Sequence, residues 1–356
     1  MVILVTGNMG YVGPVVVERL RSAHPEATVV GLDIGYFGHC LTGVSSLPER
    51  SLDRQLFADV RSIEPNLLSG VDAVVHLAAI SNDPIGKEFE GVTFAVNHDA
   101  TVRLARLARD SGVKAFVFAS SCSVYGLGGD GRCSEDSPTE PLTAYAKSKL
   151  LAENGLRALA DDEFVVTSLR FATACGMTDR LRLDLVLNDF VAGAVAFEEI
   201  VLLSDGTPWR PLIHVRDMAV AMDWALERMA DNGGAFLAIN AGSDRWNYKI
   251  GELAAAVAAI VPDIDVVVAD DAAPDPRSYQ VSFSLFERLA PFHQPVIELE
   301  EAVRGLWHGL QRMGFDDPDY RDSNLARLTV LRDLRGRGLL NENLQWTGNA
   351  RVRPLR

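Results

Sequence analysis

Short runs of apolar, often β-branched residues recur along the first half of the chain, and a polar or glycine-rich turn follows each of them. Six runs predict buried strands, at residues 2–6, 27–32, 56–58, 73–76, 115–119 and 164–169. Between them, apolar positions repeat at helical spacing, most clearly at residues 15–21, 94–109 and 144–159. Apolar strands that alternate with helices predict a doubly wound α/β fold, in which helices cover both faces of a parallel sheet.

The pattern becomes less regular after residue 170. Helices are predicted at residues 185–196, 216–229, 250–261 and 298–313. Short extended pieces are predicted at residues 200–203, 212–213, 236–240, 266–269 and 279–283. We therefore expect a doubly wound part (1–170), a smaller mixed part that partly completes the sheet (171–315), and a charged tail (316–356) with a helix at 320–335.

Composition and charge narrow the class of protein. Of the 356 residues, 48% are hydrophobic and 23% are charged, as in ordinary soluble domains. The net charge of −14 disfavours nucleic acids and anionic membranes as partners. We find no signal peptide and no apolar run of about 18 residues, so no membrane span is expected. The four cysteines are widely spaced without a CxxC pair, which favours reduced thiols, a cytoplasmic protein and no metal site.

A glycine-rich turn separates the first predicted strand from the first helix. Its three glycines let the backbone approach a pyrophosphate, and the N-terminus of the following helix favours the negative charge. Asp33 ends the second strand at the position where an acid accepts hydrogen bonds from the adenosine ribose. Its charge would repel a 2′-phosphate, so we expect NAD rather than NADP; alternatively, Asp33 is a plain cap or turn residue. The predicted cofactor contacts of this Rossmann-type turn are Gly7, Gly10, Tyr11, Val12 and Gly13.

A second group of polar residues points to proton transfer. Tyr145 and Lys149 are four residues apart on a predicted helix and therefore lie on one face of it. Ser121, at the end of a predicted strand, can reach the same cleft from the other side. Such a trio can move a proton on and off a sugar or alcohol hydroxyl, and a bound dinucleotide would carry the matching hydride.

These motifs together resemble the extended short-chain dehydrogenases/reductases, in particular the NAD-dependent epimerase/dehydratase family, which acts on nucleotide sugars. The resemblance covers roughly residues 1–313 and leaves the tail without a counterpart. The matching motifs are Gly7-x-x-Gly10-x-x-Gly13, Asp59-Val60, His76-Leu77-Ala78-Ala79, Ser121-x-x-Val124-Tyr125-Gly126, Tyr145-x-x-x-Lys149 and Gly206-Thr207-x-x-Arg210-x-x-Ile213-His214-Val215-x-Asp217.

The resemblance implies further contacts to NAD. They are Asp59 and Val60 at the adenine, Leu77, Ala78 and Ala79 at the pyrophosphate and ribose, Lys149 at the nicotinamide ribose, and Asn97 beneath the active site in a structural or water-relay role.

The resemblance also assigns catalytic roles. Tyr145 is the general base that takes the proton of the sugar hydroxyl. Ser121, three residues before the valine of the Val-Tyr-Gly motif, hydrogen-bonds the same oxygen. Lys149 and the positive nicotinamide ring would lower the pKa of Tyr145 towards neutrality. Ser120 would face the other side of its strand, because side chains alternate along a strand.

The two residues after Ser121 distinguish between the reactions of the family. Dehydratases that eliminate water across C5 and C6 carry an acid pair there, and decarboxylating members keep a glutamate. Cys122 and Ser123 are not acids near neutral pH, so elimination and decarboxylation are disfavoured. Both residues are placed in the substrate site, Ser123 as an additional hydrogen-bond donor to the sugar.

The diphosphate of the substrate requires cations. Arg210 and Arg277 match the phosphate-binding arginines of the family, and each can form two parallel hydrogen bonds to a phosphate. Arg180 and Arg182 are weaker candidates of the same kind. At residues 171–176 the chain reads Phe-Ala-Thr-Ala-Cys-Gly where the family commonly has Asn-x-Tyr-Gly, which leaves the identity of the sugar open.

Two further features carry open expectations. The aromatic loop at residues 35–39 either covers the adenine, lies near the substrate or is an ordinary surface loop. His76 and His214 each end a strand, and for both a hydrogen-bonded structural histidine is preferred to a catalytic one.

The leading hypothesis is a nucleotide-sugar 4-epimerase that retains NAD and inverts C4 through a transient 4-keto sugar. The alternative is an NAD(P)H-dependent reductase or dehydrogenase of a nucleotide-linked or other keto sugar. A 4,6-dehydratase and a non-catalytic dinucleotide-binding regulator are less favoured. The resemblance further implies a homodimer that pairs the helices at residues 94–109 and 144–159.

Overall fold

The apolar runs of the sequence form the strands, and the segments with helical periodicity form the helices. A computed structural model describes residues 1–128, 131–270, 272 and 277–348. The strands in these ranges are β1 (Val2–Thr6), β2 (Thr28–Asp33), β3 (Arg54–Phe57), β4 (Ala73–His76), β5 (Ala115–Ser121), β6 (Arg132–Cys133), β7 (Val165–Phe171), β8 (Thr173–Cys175), β9 (Glu199–Leu202), β10 (Trp209–His214), β11 (Phe236–Ala241), β12 (Asn247–Lys249), β13 (Asp265–Val268) and β14 (Gln280–Val281). The α-helices are α1 (Gly13–Ala23), α2 (Asp83–Glu88), α3 (Glu90–Phe94), α4 (Thr101–Asp110), α5 (Ala144–Arg157), α6 (Val186–Phe197), α7 (Val215–Glu227), α8 (Ile250–Ile260), α9 (Ser284–Leu289), α10 (Leu299–Arg312) and α11 (Arg327–Gly336).

The main sheet has seven parallel strands in the order β3-β2-β1-β4-β5-β7-β11. The predicted doubly wound Rossmann-type fold is confirmed. The strand order reverses between β1 and β4, and ligands of open α/β sheets bind beyond the carboxyl ends of the strands at such a reversal. The glycine-rich turn after β1 and the segment after β4 therefore meet where a ligand site is expected.

Helices cover both faces of the sheet because side chains of each strand alternate between two apolar layers. In β1, Ile3 and Val5 belong to the layer that contains residues of α1 and α7. Leu4 belongs to the opposite layer, which contains residues of α4 and α5. Within the described ranges, no helix is both long and apolar enough to span a bilayer.

Two predicted helices differ from those observed. The helix predicted at residues 94–109 consists of α3, a wider π-helical turn (Ala95–Ala100) and α4. In the wide turn, Asn97 forms hydrogen bonds with the backbone of Ile80, and these contacts accompany the break in the α-helix. The helix predicted at 320–335 is a short 3₁₀ turn followed by α11, because the chain between them pairs with Leu183, whose N–H donates to the Leu325 carbonyl at 3.0 Å.

The first two predicted parts of the chain are interleaved. Strand β11, from the second part, pairs with β7 as the seventh strand of the main sheet. Smaller sheets join β12, β10 and β8, and pair β13 with β9 and β14 with β6. The three-part division itself stays a prediction, and residues 349–356 of the predicted tail lie outside the described residues.

Candidate active site

A cavity of about 980 Å³ lies along the carboxyl ends of the parallel strands. It is lined by the turns after β1, β2, β3, β4, β5 and β7, and by α5 and α6. The residues predicted to bind cofactor or substrate that line this cavity are Gly7, Gly10, Tyr11, Val12, Gly13, Asp33, Asp59, Val60, Leu77, Ala78, Ala79, Ser121, Ser123, Tyr145, Lys149, Arg210 and Arg277. Asn97 and Cys122 are not among the lining residues.

The turn after β1 has no room for larger side chains at two of its glycines. A Cβ on Gly7, whose φ is +75°, would lie 2.5 Å from the backbone nitrogen of Ala78. A Cβ on Gly13 would lie 2.1 Å from the backbone oxygen of Asn8. Helix α1 begins at Gly13, and no side chain caps its first turn. The positive end of a helix of this length favours an anion in the cavity.

Asp33 lies at the end of β2 and is 8% exposed. Its carboxylate accepts hydrogen bonds from the N–H groups of Met9 at 3.0 Å and Gly35 at 2.7 Å. Burial raises the pKa of Asp33, although these two hydrogen bonds lower it. The residue therefore organises the glycine-rich turn and also lines the cavity.

Asp59 is held by a neighbouring arginine. Arg61 donates to both carboxylate oxygens of Asp59 through Nε, at 3.0 and 2.9 Å, and through Nη2 at 2.6 Å. The same carboxylate also accepts the backbone N–H of Arg61 at 2.9 Å. This arrangement fixes the orientation of Asp59 at the edge of the cavity.

Helix α5 positions two members of the predicted catalytic trio. The Thr143 hydroxyl caps the helix by accepting a backbone N–H of the first turn at 3.2 Å. Tyr145 lies in that first turn and Lys149 one turn later. Lys149 Nζ donates to the Ala119 carbonyl at 2.7 Å and lies 5.8 Å from the centre of the Tyr145 ring. Ser121, the last residue of β5, lines the same cavity.

The protein groups alone leave the Tyr145 phenol protonated at neutral pH. Burial and the charge of Asp83 raise the pKa of Tyr145 to about 12, against the lowering effects of Ser121 and Arg182. Burial lowers the pKa of Lys149 to about 7. Burial dominates at both residues, and the lowering of the Tyr145 pKa by Lys149 together with the positive nicotinamide ring stays a prediction for the cofactor-bound enzyme.

The structure corrects the predicted substrate contact of Cys122 and removes Asn97 from the residues that line the cavity, while the hydrogen bonds of Asn97 agree with the structural role expected for it. Cys122 is 1% exposed, and its thiol donates to the Arg170 carbonyl at 3.1 Å rather than facing the cavity. Asn97 is fully buried; its amide donates to the Ile80 carbonyl at 2.9 Å and to the Ser148 hydroxyl at 3.1 Å. Both side chains are directed inward by local geometry, the 3₁₀ turn after β5 and the π-helical turn, which the sequence motifs do not report.

The serines near Ser121 have different surroundings. The Ser120 hydroxyl donates to Glu153 on α5, consistent with the predicted alternation along β5. Ser123 lines the cavity, and its buried hydroxyl oxygen has no hydrogen-bond partner in the part of the chain that the structure describes. A buried hydroxyl of this kind fits a polar group of a bound ligand.

The two predicted phosphate-binding arginines lie together. Arg210 Nη1 donates to the carbonyls of Trp209, at 2.9 Å, and of Arg277. Arg277 pairs with Asp83, which in turn accepts a hydrogen bond from the Thr143 hydroxyl at 2.6 Å. Asp83 was not predicted from the sequence, since only the fold brings it beside Arg277 and the start of α5.

Of the two weaker arginine candidates, only one lines the cavity. Arg182 pairs with Asp184 at 2.9 and 3.0 Å and donates to the Ser81 hydroxyl at 2.9 Å. Burial raises the pKa of Asp184, but the charge and the hydrogen bonds of Arg182, together with the charge of Arg327, outweigh it and the pKa is lowered. Arg180 is fully buried and pairs with Glu49 at 2.7 Å.

The C-terminal tail also reaches the cavity, where Arg321, Ala326 and Arg327 contribute to the lining. Arg321 pairs with Asp189 of α6 at 2.8 Å. No motif in the tail signals this role, so these residues were missed at the level of sequence.

The structural interpretation of both histidines is confirmed. His76 lies between the hydroxyls of Thr6 and Thr101, at 2.6 and 2.8 Å, and burial lowers its pKa to about 3. His214 Nδ1 accepts the N–H of Arg216 at the start of α7, and burial lowers its pKa to about 4. The described residues contain no group of three or more His, Cys, Asp or Glu side chains placed to hold a metal ion.

Comparison with known families agrees with this geometry. The NAD dependent epimerase/dehydratase family matches residues 3–242. The chain belongs to this family. It is therefore an NAD-dependent enzyme, and the strands and turns that build the cavity lie largely within the matched region.

Three proteins of known sequence or structure are similar to this epimerase/dehydratase over most of its length or a large part of it. It is 26% identical to the UDP-glucose 4-epimerase of Streptococcus mutans over 343 residues, which cover 90% of this chain and 100% of the relative. It is 31% identical over 229 residues to YtcB of Bacillus subtilis, named an uncharacterized UDP-glucose epimerase, with 61% of this chain and 70% of the relative covered. The solved structure of MoeE5 in complex with UDP-glucose and NAD superposes with a TM-score of 0.72 at 26% identity, covering 88% of this chain and 99% of MoeE5.

The cavity of this epimerase/dehydratase fits NAD. Gly7 and Gly13 form a cradle that any Cβ would fill, and the first turn of α1 presents N–H groups that no side chain caps. The carboxylate of Asp33 lines the same cavity at the end of β2. These groups suit a diphosphate and a ribose diol, respectively.

Replacing Lys149 with methionine is expected to stabilise the cofactor-free enzyme below pH 7. In the unfolded chain the lysine keeps its proton up to pH 10.5, whereas in the folded chain it loses the proton above about pH 7. Stability therefore rises with pH between these two values, and the penalty of the buried charge is largest below pH 7. Thermal unfolding at pH 6 should show a melting temperature raised by about 2 °C or more in Lys149→Met, with the difference vanishing near pH 10.5.

The control is Lys147→Met, on the exposed side of α5. A Lys149→Met variant that melts below the wild type at pH 6 would contradict the lowered pKa of Lys149.

Proposed function

We propose that this enzyme is a nucleotide-sugar 4-epimerase, which inverts C4 of the sugar through a transient 4-keto intermediate. One observation carries the proposal: Ser121, Tyr145 and Lys149 share one cavity, while neither residue after Ser121 supplies an acid. Cys122 faces away from the cavity and Ser123 presents a hydroxyl. The site can therefore take and return a hydroxyl proton but lacks the acid pair that elimination requires.

Asp184 and Asp83, two further carboxylates that line the cavity, do not fill the role of that acid. Asp184 is paired with Arg182, and the pKa of Asp184 is lowered, so it stays ionised at neutral pH. Asp83 is paired with Arg277. A carboxylate held by a guanidinium is a poor proton donor, because protonation would leave the arginine without its partner. Hydride transfer coupled to proton transfer at one hydroxyl therefore needs only the groups that this cavity supplies, Ser121, Tyr145 and Lys149.

The proton steps are performed by the protein. NAD, once held by the turn after β1 and by Asp33, would supply the hydride acceptor and donor, and the positive charge of its nicotinamide ring would favour the tyrosinate. Tyr145 removes the proton of the C4 hydroxyl and gives it back to the ketone oxygen after the sugar has turned. Ser121 donates a hydrogen bond to that oxygen, and Lys149, held by the Ala119 carbonyl, places its amino group beside the phenol.

The sugar must turn while its nucleotide stays in place. We assign the diphosphate to Arg210 and Arg277, which lie together in the cavity. Ala172 and Ala174 line the cavity, directly after β7 and within β8, respectively. Their small side chains leave room for a ketone intermediate to present its other face.

The reaction is tested with enzyme purified together with its cofactor. A panel of UDP-, dTDP-, GDP-, ADP- and CDP-linked sugars is incubated with it, the products are identified by NMR, and absorbance is followed at 340 nm. An inverted C4 centre with no net change at 340 nm supports the epimerase. Stoichiometric consumption of added NADH would instead establish a reductase, and a 4-keto-6-deoxy product a dehydratase; either result overturns the proposal.

Replacing Arg277 with glutamine is expected to raise KM about 10- to 100-fold with a much smaller change in kcat. The reason is that charge-assisted hydrogen bonds to a phosphate contribute about 1.5–3 kcal/mol to binding, in the ground state and the transition state alike. Steady-state kinetics with the accepted nucleotide sugar measures the effect. Arg216→Gln removes an exposed arginine paired with Glu301 and should leave KM unchanged. A KM in Arg277→Gln equal to that of the wild type would refute the assignment of Arg277 to the diphosphate site.

A homodimer through α4 and α5 is also part of the proposal. Leu151 on α5 is 42% exposed and Leu107 on α4 is half-buried, so apolar surface is present on both helices. Leu104 and Ala108, in contrast, are buried against the chain's own sheet. Light scattering of the purified enzyme measures its mass, and a monomer at micromolar concentration would refute this assembly.

A further inference from the structure

The chain after α11 returns to the loop that follows Asp33. We propose that residues 339–346, named here the C-terminal clasp, hold the adenosine side of the NAD cavity in shape and thereby slow the release of the cofactor. This inference rests on the NAD site and not on the 4-epimerase reaction.

The first contacts join the clasp to the loop after β2. The indole N–H of Trp346 donates to the Ile34 carbonyl at 2.7 Å, and its ring centre lies 5.9 Å from that of Tyr36. The Tyr36 hydroxyl donates to the Leu344 carbonyl. Ile34 and Tyr36 both line the cavity. The clasp thus fixes Ile34 and Tyr36, two residues of the cavity wall that closely follow Asp33.

A second contact joins the clasp to the residue expected at the adenine. Arg61 Nη1 donates to the Asn343 carbonyl at 2.7 Å, while its Nε and Nη2 hold the Asp59 carboxylate. Both side chains of this ion pair are largely shielded from solvent, 15% and 17% exposed. The orientation of Asp59 therefore depends on an arginine that the clasp holds from the other side.

The apolar side of the clasp is part of the core. Leu340 and Leu344 are buried in the same cluster as Tyr36, Val60 and Ile63. Leu344 adopts φ +52°, in the left-handed region that branched residues rarely occupy. Such a conformation persists only where surrounding contacts over-determine it. Here the buried side chain and the carbonyl directed at Tyr36 provide those contacts.

The segment before the clasp also contacts the loop after β2, through Arg327. Arg327, at the start of α11, is 1% exposed and donates to the Arg180 carbonyl at 2.7 Å. Its guanidinium lies 4.7 Å from the centre of the Phe37 ring. The aromatic loop at residues 35–39 is therefore held between the cavity and the tail, which accounts for Tyr36 and Phe37 in a segment that would otherwise be a plain crossover.

Release of a dinucleotide from this side requires the wall formed by Ile34, Tyr36 and Asp59 to move. With the clasp in place, movement breaks the hydrogen bonds of Trp346 and Arg61 as well as the apolar contacts of the clasp. Retention of NAD suits a reaction in which the cofactor ends each cycle in its starting oxidation state, since no exchange is then needed. Loss of the clasp contacts is expected to accelerate NAD dissociation about 10- to 100-fold.

The test uses the full-length enzyme and the variant Trp346→Ala. NAD retained after purification is quantified by chromatography of the denatured protein, and the dissociation rate is measured by chasing bound NAD with excess etheno-NAD. Trp346→Ala should retain little NAD and release it at least tenfold faster. Trp307→Ala, which removes an indole from α10 outside the cavity lining, is the matched control and should retain NAD like the wild type.

Tyr36→Phe tests the same contact with a smaller change. It removes the hydroxyl that donates to the Leu344 carbonyl but keeps the ring, and it should accelerate release severalfold while circular dichroism and the melting temperature stay close to the wild type. Wild-type retention and release rates in both Trp346→Ala and Tyr36→Phe would overturn the clasp. Retained NAD with no C4 inversion in the wild type would refute the proposed reaction and leave the clasp standing.

Discussion

Tyr145→Phe is expected to lower kcat about 100- to 10,000-fold while NAD stays bound. The substitution removes the group that we propose takes and returns the proton of the sugar hydroxyl, and general acid–base catalysis contributes about that factor. The ring of Tyr145 remains to fill its place beside Lys149, 5.8 Å from the ammonium, so the cavity keeps its shape. Initial rates with the accepted nucleotide sugar, together with the NAD content of the purified variant, measure both quantities.

The pH profile adds a second readout for Tyr145. Because the protein alone raises the pKa of Tyr145 to about 12, the tyrosinate needs the charge of the bound cofactor, and the wild-type rate should rise with pH as the phenol ionises. Tyr145→Phe should lose that rise. Tyr248→Phe, a partly exposed tyrosine outside the cavity lining, serves as the control with unchanged kinetics. Turnover at the wild-type level in Tyr145→Phe would exclude it as the general base, whatever the fold.

Gly13→Ala is expected to abolish stable NAD binding and to destabilise the fold by about 1–3 kcal/mol. The new Cβ would lie 2.1 Å from the oxygen, 2.4 Å from the carbonyl carbon and 2.5 Å from the Cα of Asn8. All three atoms belong to the backbone, so no side-chain rotation relieves the overlap. Either α1 or the turn after β1 must shift, and both form the predicted diphosphate site. Denaturant unfolding and the NAD content of the purified variant measure the two effects.

The control for Gly13→Ala is another glycine in a helix. A Cβ on Gly305 of α10 meets no atom within 4 Å, so Gly305→Ala should keep its NAD and gain about 0.5–1 kcal/mol of stability from the higher helix propensity of alanine. A Gly13→Ala enzyme that purifies with a full complement of NAD would show that the turn tolerates displacement. It would also refute the explanation that position 13 requires glycine because the Asn8 backbone lies so close.

Much of the candidate site follows from short-range patterns. Gly7 and Gly13 lie in one turn between a strand and a helix. A Cβ at either position would overlap backbone atoms, and the order of strand, turn and helix predicts this requirement for glycine. Tyr145 and Lys149 share a helix face because of the helical repeat alone. The strand ends supply Asp33 and Ser121, since in a parallel sheet every strand ends at the same edge.

Features that depend on distant segments were predicted less well. Packing of α5 on the sheet buries Lys149 and lowers its pKa to about 7, which the helical spacing of Tyr145 and Lys149 does not report. Cys122 was assigned to the substrate site by its position after Ser121, and the local turn directs its side chain into the interior. Asp83 enters the site only because the segment after β4 meets Arg277.

The sequence alone predicted the parallel sheet, the glycine-rich turn and the proposed catalytic trio, because periodicity and motif spacing within a few tens of residues carry these features. The tertiary structure alone decided which side chains face the cavity, how burial shifts the pKa values of Tyr145 and Lys149, and where the tail lies. The contact between Trp346 and Ile34 joins residues 312 positions apart. No local pattern reports such a pair, since its geometry arises only when the packed sheet and helices bring the two ends of the chain together.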